Sequence, residues 1–301
     1  DGVLDTDETS PYDSTDDAAV LAAAGLDDYA LVAFGTLRLN DGVQCLDSNG
    51  NWCQVANLGS LPSNDNKTEL GRSAEAGTLF STEPVVLRNN ATVHGNVDRR
   101  IVKHIIFFPL GIPTLVMQVG ATVEGDTAQS VLSWAAWKSW LSRLARPVFD
   151  VTGSTTCLLE AGDTTEVAPD SCQTLTVNAG ATLVLRAGTY HLTSLQIDAG
   201  ARVEVDIASG PVSLLVDGNV LWRGTFLSDY EDDELAKNLY LYTSSEGTLY
   251  IDGFAGTVVA PNGAVSVGQS TKTFYGRVLA KDVSIHQYTT VHHIPFTGSL
   301  Q

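Results

Sequence analysis

The chain has 301 residues, 44% of them hydrophobic and only 17% charged, with 27 glycines and a formal net charge of -18. So acidic a surface repels phosphates and excludes nucleic acid and anionic membranes as partners, while it admits divalent cations or a salty, screening medium. No apolar run approaches the twenty or so residues of a membrane span, and low charge with many small polar residues suits a β-rich extracellular protein.

Residues 1–17 (DGVLDTDETSPYDSTDD) form an acidic N-terminal arm too poor in apolar side chains to fold alone. It reads either as a disordered leader or as an arm that orders on a neighbouring subunit through Val3, Leu4 and Tyr12. Residues 16–24 predict a short helix, capped by Thr15 or Asp16, filled with alanines and ended by Gly25. Its expected place is a cap over the first coil of strands. From Tyr29 the pattern turns to strands: Ala30-Leu31-Val32-Ala33-Phe34, then Thr36-Leu37-Arg38-Leu39 and an Asn40-Asp41-Gly42 turn.

Four cysteines fall in two close pairs, Cys45 with Cys53 and Cys157 with Cys172. Neither pair has zinc-site spacing, so two local disulfides outside the cytosol are the simplest reading, with four buried thiols as the alternative. Within the first loop Asp47, Asn49 and Asn51 alternate like the first ligands of a calcium loop, which makes calcium the only cofactor the sequence suggests. A polar turn is the competing reading, because the distal bidentate Glu has no counterpart. The adjacent His292 and His293 would face opposite ways along a strand and cannot share a metal.

The phrase Ala91-Thr92-Val93-His94-Gly95 returns as Ala121-Thr122-Val123-Glu124-Gly125, with Pro109 and Pro113 interrupting the apolar stretch between them. Residues 127–146 (TAQSVLSWAAWKSWLSRLAR) then place Val131, Trp134, Trp137, Leu141 and Leu144 at helical spacing and predict one inserted amphipathic helix stopped by Pro147. It packs on the flank of the strands or, through Trp134, Trp137, Trp140 and Leu141, contacts another subunit. Between 174 and 216 one phrase is said repeatedly at a step of about twenty residues. Leu175 and Val177 run into Asn178-Ala179-Gly180-Ala181; Leu195 and Ile197 run into Asp198-Ala199-Gly200-Ala201. Such self-similarity predicts an all-β solenoid whose coils bury their faces by stacking, as a single domain over 18–296 with a tail at 297–301. Residues 229–234 (DYEDDE) read as a solvated acidic loop.

The blocks LRAGTYHLTSLQIDAGARVEV, GTVVAPNGAVSV and FYGRVLAKDVSIHQYTTVHH resemble a bacterial exported β-solenoid domain. That domain occurs in surface, pilus-associated and adhesin-like proteins, among them the choice-of-anchor A type, with a looser likeness to bactofilins. The resemblance is good over 174–292, weaker over 29–125, and does not cover the acidic arm or the tryptophan segment. It implies a right-handed parallel β-helix on the cell exterior, structural or adhesive in role, with no catalytic residues to carry over.

Three functions compete. The first is a secreted structural protein that self-assembles into a homopolymeric fibre or surface layer. The second is adhesion to a carbohydrate or host surface, for which Tyr240, Tyr242, Tyr250 and Tyr275 are either stacking platforms or core rungs. The third and least supported is a β-helix polysaccharide lyase or hydrolase using Asp198, Glu204 or Asp206 near Arg186 and Arg202. Regular Thr-x-Thr ladders of the ice-binding kind are absent, Thr155-Thr156 and Thr164-Thr165 standing alone.

Overall fold

The computed structural model describes residues 28–59, 66–103, 114–133, 154–227 and 230–297. Its strands pair in parallel and form three faces of a β-solenoid. The inward side of the first face carries an unbroken apolar ladder running Leu159, Val177, Ile197, Trp222, Ile251, Val267. It continues through Ile285, Leu39, Leu70, Leu87 and Met117. Each coil covers the next, which is why no coil needs a core of its own. On the second face Thr164–Val167, Thr182–Arg186, Arg202–Asp206 and Thr225–Phe226 form a separate four-stranded sheet, and Thr290–His293, Gln44–Asp47, Glu75–Ala76, Thr92–Val93 and Thr122–Val123 form a second row.

The repeated phrase is a corner. At several corners a backbone N–H closes a four-residue turn onto a carbonyl three residues earlier, as in Ala181 to Asn178 at 3.1 Å and Ala201 to Asp198 at 3.0 Å. The third turn position has positive φ, +85° at Gly180 and +86° at Gly200, a conformation that Gly adopts without strain. The residue that follows, Ala181 or Ala201, is fully buried inside the bend, as is Val43 after the equivalent Asn40-Asp41-Gly42 turn.

Coils do not stack in sequence order. Leu31, Val32 and Ala33 pair on one side with Val278, Leu279 and Ala280, and on the other with Val55, Ala56 and Asn57. The first coil is therefore central. From it the N-terminal coils run outward to Thr127–Ser133, while the C-terminal coils begin at the far end with Thr156–Leu159 and return to dock on residues 29–47. Along the first face, Thr156–Leu159 and Leu115–Met117 lie ten rungs apart, roughly 48 Å at the ~4.8 Å spacing of paired strands.

Two expectations change. A helix over 16–24 has no open first coil to cap, since that coil has neighbours on both sides; residues 16–24 and the arm with Val3, Leu4 and Tyr12 lie outside the described residues. The inserted helix does not start at Thr127: Thr127–Ser133 is a strand paired residue by residue with Val97–Lys103. A seven-rung ladder outweighs the weak helical preference of TAQSVLS, a sequence equally compatible with period two. Residues 134–146, with Trp134, Trp137, Trp140 and Leu141, lie outside the described residues. The one helix among the described residues is Asp232–Asn238, in the segment that reads as a solvated loop. Acidic Asp232, Asp233 and Glu234 in its first turn and Lys237 in its last suit the helix dipole, and Leu235 and Ala236 are buried.

The third face is apolar on both sides. Val32, Ala56, Leu58, Phe80, Tyr240, Tyr242, Val259 and Leu279 form a second buried cluster outside the solenoid core. Two-sided burial is why 30–34 and 239–242 read as continuous apolar runs rather than alternating ones. Polar groups enter between this face and the first. Asn57 donates to the carbonyls of Gly35 at 2.9 Å and Lys67 at 3.3 Å, and the hydroxyls of Thr68 and Ser81 share a 2.8 Å bond. Glu83 is buried beside them, and its Oε2 has no hydrogen-bond partner among the described residues.

Burial pushes the Glu83 carboxyl up to about 7, against the lowering effect of a hydrogen bond with Asn66. Between its ordinary value of 4.5 and about 7 the folded state then holds a proton that the unfolded state has lost. Stability falls as pH rises through that window, by about 3 kcal/mol in all. Glu83→Gln should therefore match the wild type near the bottom of the window and be more stable by about that amount above it, read from urea unfolding at the two pH values. Leu31→Ala, at the fully buried junction of the two halves, should cost about 3 kcal/mol in the same assay.

Candidate functional site

On the outward side of the first face a second ladder runs the length of the stack. Leu158, Thr176, Gln196, Leu221 and Tyr250 follow one another on successive strands. Ser266, Ser284, Arg38, Glu69, Val86 and Val116 continue it across the junction of the two halves. Strand alternation places these side chains outward and sets them in line, one per rung.

Where the ladder reaches Arg38 and Glu69 it opens into a groove of about 470 Å³. Its charged lining is Arg38, Lys67, Arg72 and Arg88 against Asp41 and Glu69, with Asn40, Asn89 and Gln118 as neutral polar groups. Four cations minus two carboxylates leave an excess of two positive charges, on a chain with 17 Lys and Arg against 35 Asp and Glu.

Glu69 organises the cations. Arg88 Nε donates to its Oε1 at 2.7 Å, and its Oε2 lies 2.8 Å from Lys67 Nζ and 3.6 Å from Arg38 Nη2. Burial alone would push this carboxyl up, but the hydrogen bonds and charges of Lys67 and Arg88 outweigh it and hold Glu69 below its ordinary value. Asp41 does the same for Arg72, accepting its backbone N–H at 2.8 Å and its Nε at 3.1 Å. Arg72 and Arg88 are thus each held through Nε, and their terminal nitrogens have no partner among the described residues. Lys67 and the strand Thr68–Leu70 that follows it with Glu69 are fixed from beneath by the Asn57 and Thr68 bonds.

Cys45 pairs with Cys53 and Cys157 with Cys172, with no free cysteine among the described residues. In the first loop Asp47 turns inward on its own backbone. Its Oδ1 accepts the N–H groups of Asn49 and Asn51, both at 2.8 Å, and its Oδ2 accepts Asn51 Nδ2 at 3.1 Å. Burial opposes ionisation here, and the Asn51 and Asn49 bonds outweigh it, so Asp47 sits below its ordinary value. These are the bonds of a polar turn. Among the described residues, no group of three or more His, Cys, Asp or Glu is placed to hold a metal.

The candidate tyrosines separate. Tyr240 and Tyr242 are buried in the outer apolar cluster, Tyr250 stands 40% exposed on the outward ladder, and Tyr275 stacks on His292 with centroids 4.6 Å apart. Arg186 joins Asp206 to Glu166 two rungs away, while Glu204 and Arg202 stand exposed on the same sheet and Asp198 belongs to the corner turn. Two clusters escape a reading of the sequence, the groove and a second one around His94. There His94 stacks on Trp52 with centroids 4.1 Å apart, and its ring nitrogens lie 3.4 Å from Glu75 and 3.0 Å from Glu124. Only the recurring His94-Gly95 and Glu124-Gly125 hint at that alignment. The groove leaves no local signal, since its six charges come from three coils.

No helix among the described residues is long and apolar enough to cross a membrane. No curated protein and no solved structure matches the chain. A family model does, over residues 5–293; its description is "Putative Ice-binding-like adhesive domain". At that level it agrees with the adhesin-like surface domain implied by the resemblance. With a match over nearly the whole length, on a parallel β-solenoid carrying two disulfides, the chain belongs to the ice-binding-like adhesive domain family.

Proposed function

We propose that this chain is a non-catalytic extracellular adhesive module that holds a carbohydrate along the outward ladder of its first face. The carrying observation is the ladder itself: eleven rungs, unbroken at the junction, presenting hydroxyl, amide, aromatic, charged and aliphatic groups at a fixed step. A rigid, regularly spaced row suits a linear polymer, because its contacts are preorganised and each adds to the next. Membership in an adhesive family and disulfides suited to an oxidising exterior support the same reading.

Ice is the less suited ligand. The ladder interrupts its Thr and Ser rungs with Arg38, Glu69 and Gln196, whereas a crystal plane calls for one side chain repeated. Self-assembly is retained as a second reading on one observation. Met117 occupies an inward position of the core ladder yet is 44% exposed, because no further described strand covers Leu115–Met117. Such an end is a surface on which another copy could stack. Size exclusion and negative-stain microscopy over a concentration series test that reading, and a strictly monomeric protein at every concentration would remove it.

A glycan array tests the adhesive reading. At least one class of saccharide should bind. Tyr250→Ala should weaken its binding about tenfold without lowering the melting temperature, as its ring stands on the surface. An array with no binder at all would overturn the assignment.

A further inference from the structure

We infer that the groove around Glu69 is an anion-selecting subsite, and that the polymer recognised on the first face is an acidic polysaccharide bearing carboxylate or sulfate groups. This rests on the adhesive reading above and narrows it to one chemical class of ligand.

Charge points there first. A chain of net charge -18 gathers four cations against two carboxylates in one groove of about 470 Å³. Were those cations present only to neutralise Glu69 and Asp41, two would suffice. Geometry points the same way. Arg72 and Arg88 are each oriented by an Nε bond to a carboxylate, leaving the forked end of each guanidinium without a partner among the described residues. That fork matches the oxygen spacing of a carboxylate or sulfate. Arg38, 45% exposed, touches Glu69 only at 3.6 Å and adds a third available guanidinium.

The surroundings select a saccharide. Asn40, Asn89 and Gln118 line the groove beside the cations and can hydrogen-bond hydroxyls. Toward the middle of the stack the ladder continues through Ser284 and Ser266 to Tyr250, three rungs or about 14 Å from Arg38. An exposed ring at that remove is a platform for an uncharged sugar face. Nucleic acid fits less well: its phosphates recur every few ångströms, and most would meet the acidic remainder of the surface. An acidic polysaccharide carries its charges further apart and can place one in the groove while neutral parts lie along the ladder.

The test is titration calorimetry of the whole chain with polygalacturonate, dextran sulfate, plain dextran and a single-stranded oligonucleotide, at about 50 and about 300 mM salt. At least one of the two acidic polysaccharides should bind tighter than dextran by about tenfold or more, with an advantage that shrinks at the higher salt. Which of the two binds distinguishes carboxylate from sulfate. The double variant Arg38→Gln, Arg72→Gln leaves Lys67 and Arg88 to neutralise the buried Glu69. It should lose that advantage, binding the acidic polysaccharides no tighter than dextran, with the wild-type melting temperature. If the double variant is unstable, Arg72→Gln alone, at a side chain 71% exposed, serves the same comparison. The inference is overturned if acidic and neutral polymers bind alike, if the variant discriminates as the wild type does, or if the oligonucleotide binds as tightly as the acidic polysaccharides. Equal binding of neutral and acidic saccharides would leave the adhesive reading standing, whereas no saccharide binding would remove both.

Discussion

Everything in this molecule depends on one piece of strand pairing: Thr273–Ile285 lies between Ala255–Val267 on one side and the strands Tyr29–Ala33 and Leu37–Leu39 on the other. A stack of coils is stable only where each edge is covered, and here the last C-terminal coil and the first N-terminal coil cover one another. The junction is sealed by more than the ladder, since Asp282 Oδ1 accepts the N–H of Thr36 at 2.7 Å. The register there is set by Leu37 opposite Val283 and Leu39 opposite Ile285, all buried, so a slip by one residue would turn both rows outward. Closing contacts between residues some 246 positions apart is entropically slow, and the stack is completed only when the C-terminal coils have been made.

That junction also creates the candidate surface. The groove's cations all belong to N-terminal coils, whereas Tyr250, Ser266 and Ser284 belong to C-terminal ones. Only the pairing of Arg38 with Ser284 joins the two into a single row. Electrostatically the groove is a local exception to an acidic whole. At physiological salt, charges beyond about 8 Å are largely screened, so a ligand seated there experiences the four nearby cations far more than the net charge. Glu69 makes that concentration tolerable: packed among three cations, it offsets their mutual repulsion and fixes where each points.

A solenoid does not by itself declare an activity, because the same stacked coils serve many ends. What distinguishes this chain is where its regularity is kept and where it is broken. The inward ladder is almost wholly aliphatic, and the corner turn recurs with little change. The outward ladder mixes hydroxyl, amide, aromatic, charged and aliphatic rungs. Variation on the exposed side of a rigid frame is the pattern expected of a recognition surface, with the frame supplying spacing and the side chains supplying chemistry.

By itself the amino-acid sequence determined what is local. Period-two alternation marked the strands, the Asn-Ala-Gly-Ala and Asp-Ala-Gly-Ala phrases marked a corner that needs positive φ and buries the residue after it, and short spacing paired the cysteines. Each lies within about twenty residues, so the physics that produces it leaves a readable pattern. Only the tertiary structure decided the order of the coils, the strand at Thr127–Ser133 and the groove at Glu69. Partners across a rung are separated in sequence by anything from a single coil to nearly the whole chain, and an alternating strand carries no mark of which neighbour it will meet. The continuous apolar run at 30–34 was a trace of another tertiary feature, the outer cluster on the third face, since burial on both sides of a strand removes the alternation. The cations of the groove left no such trace, because a charge on a surface rung acquires its neighbours only when the coils are laid side by side.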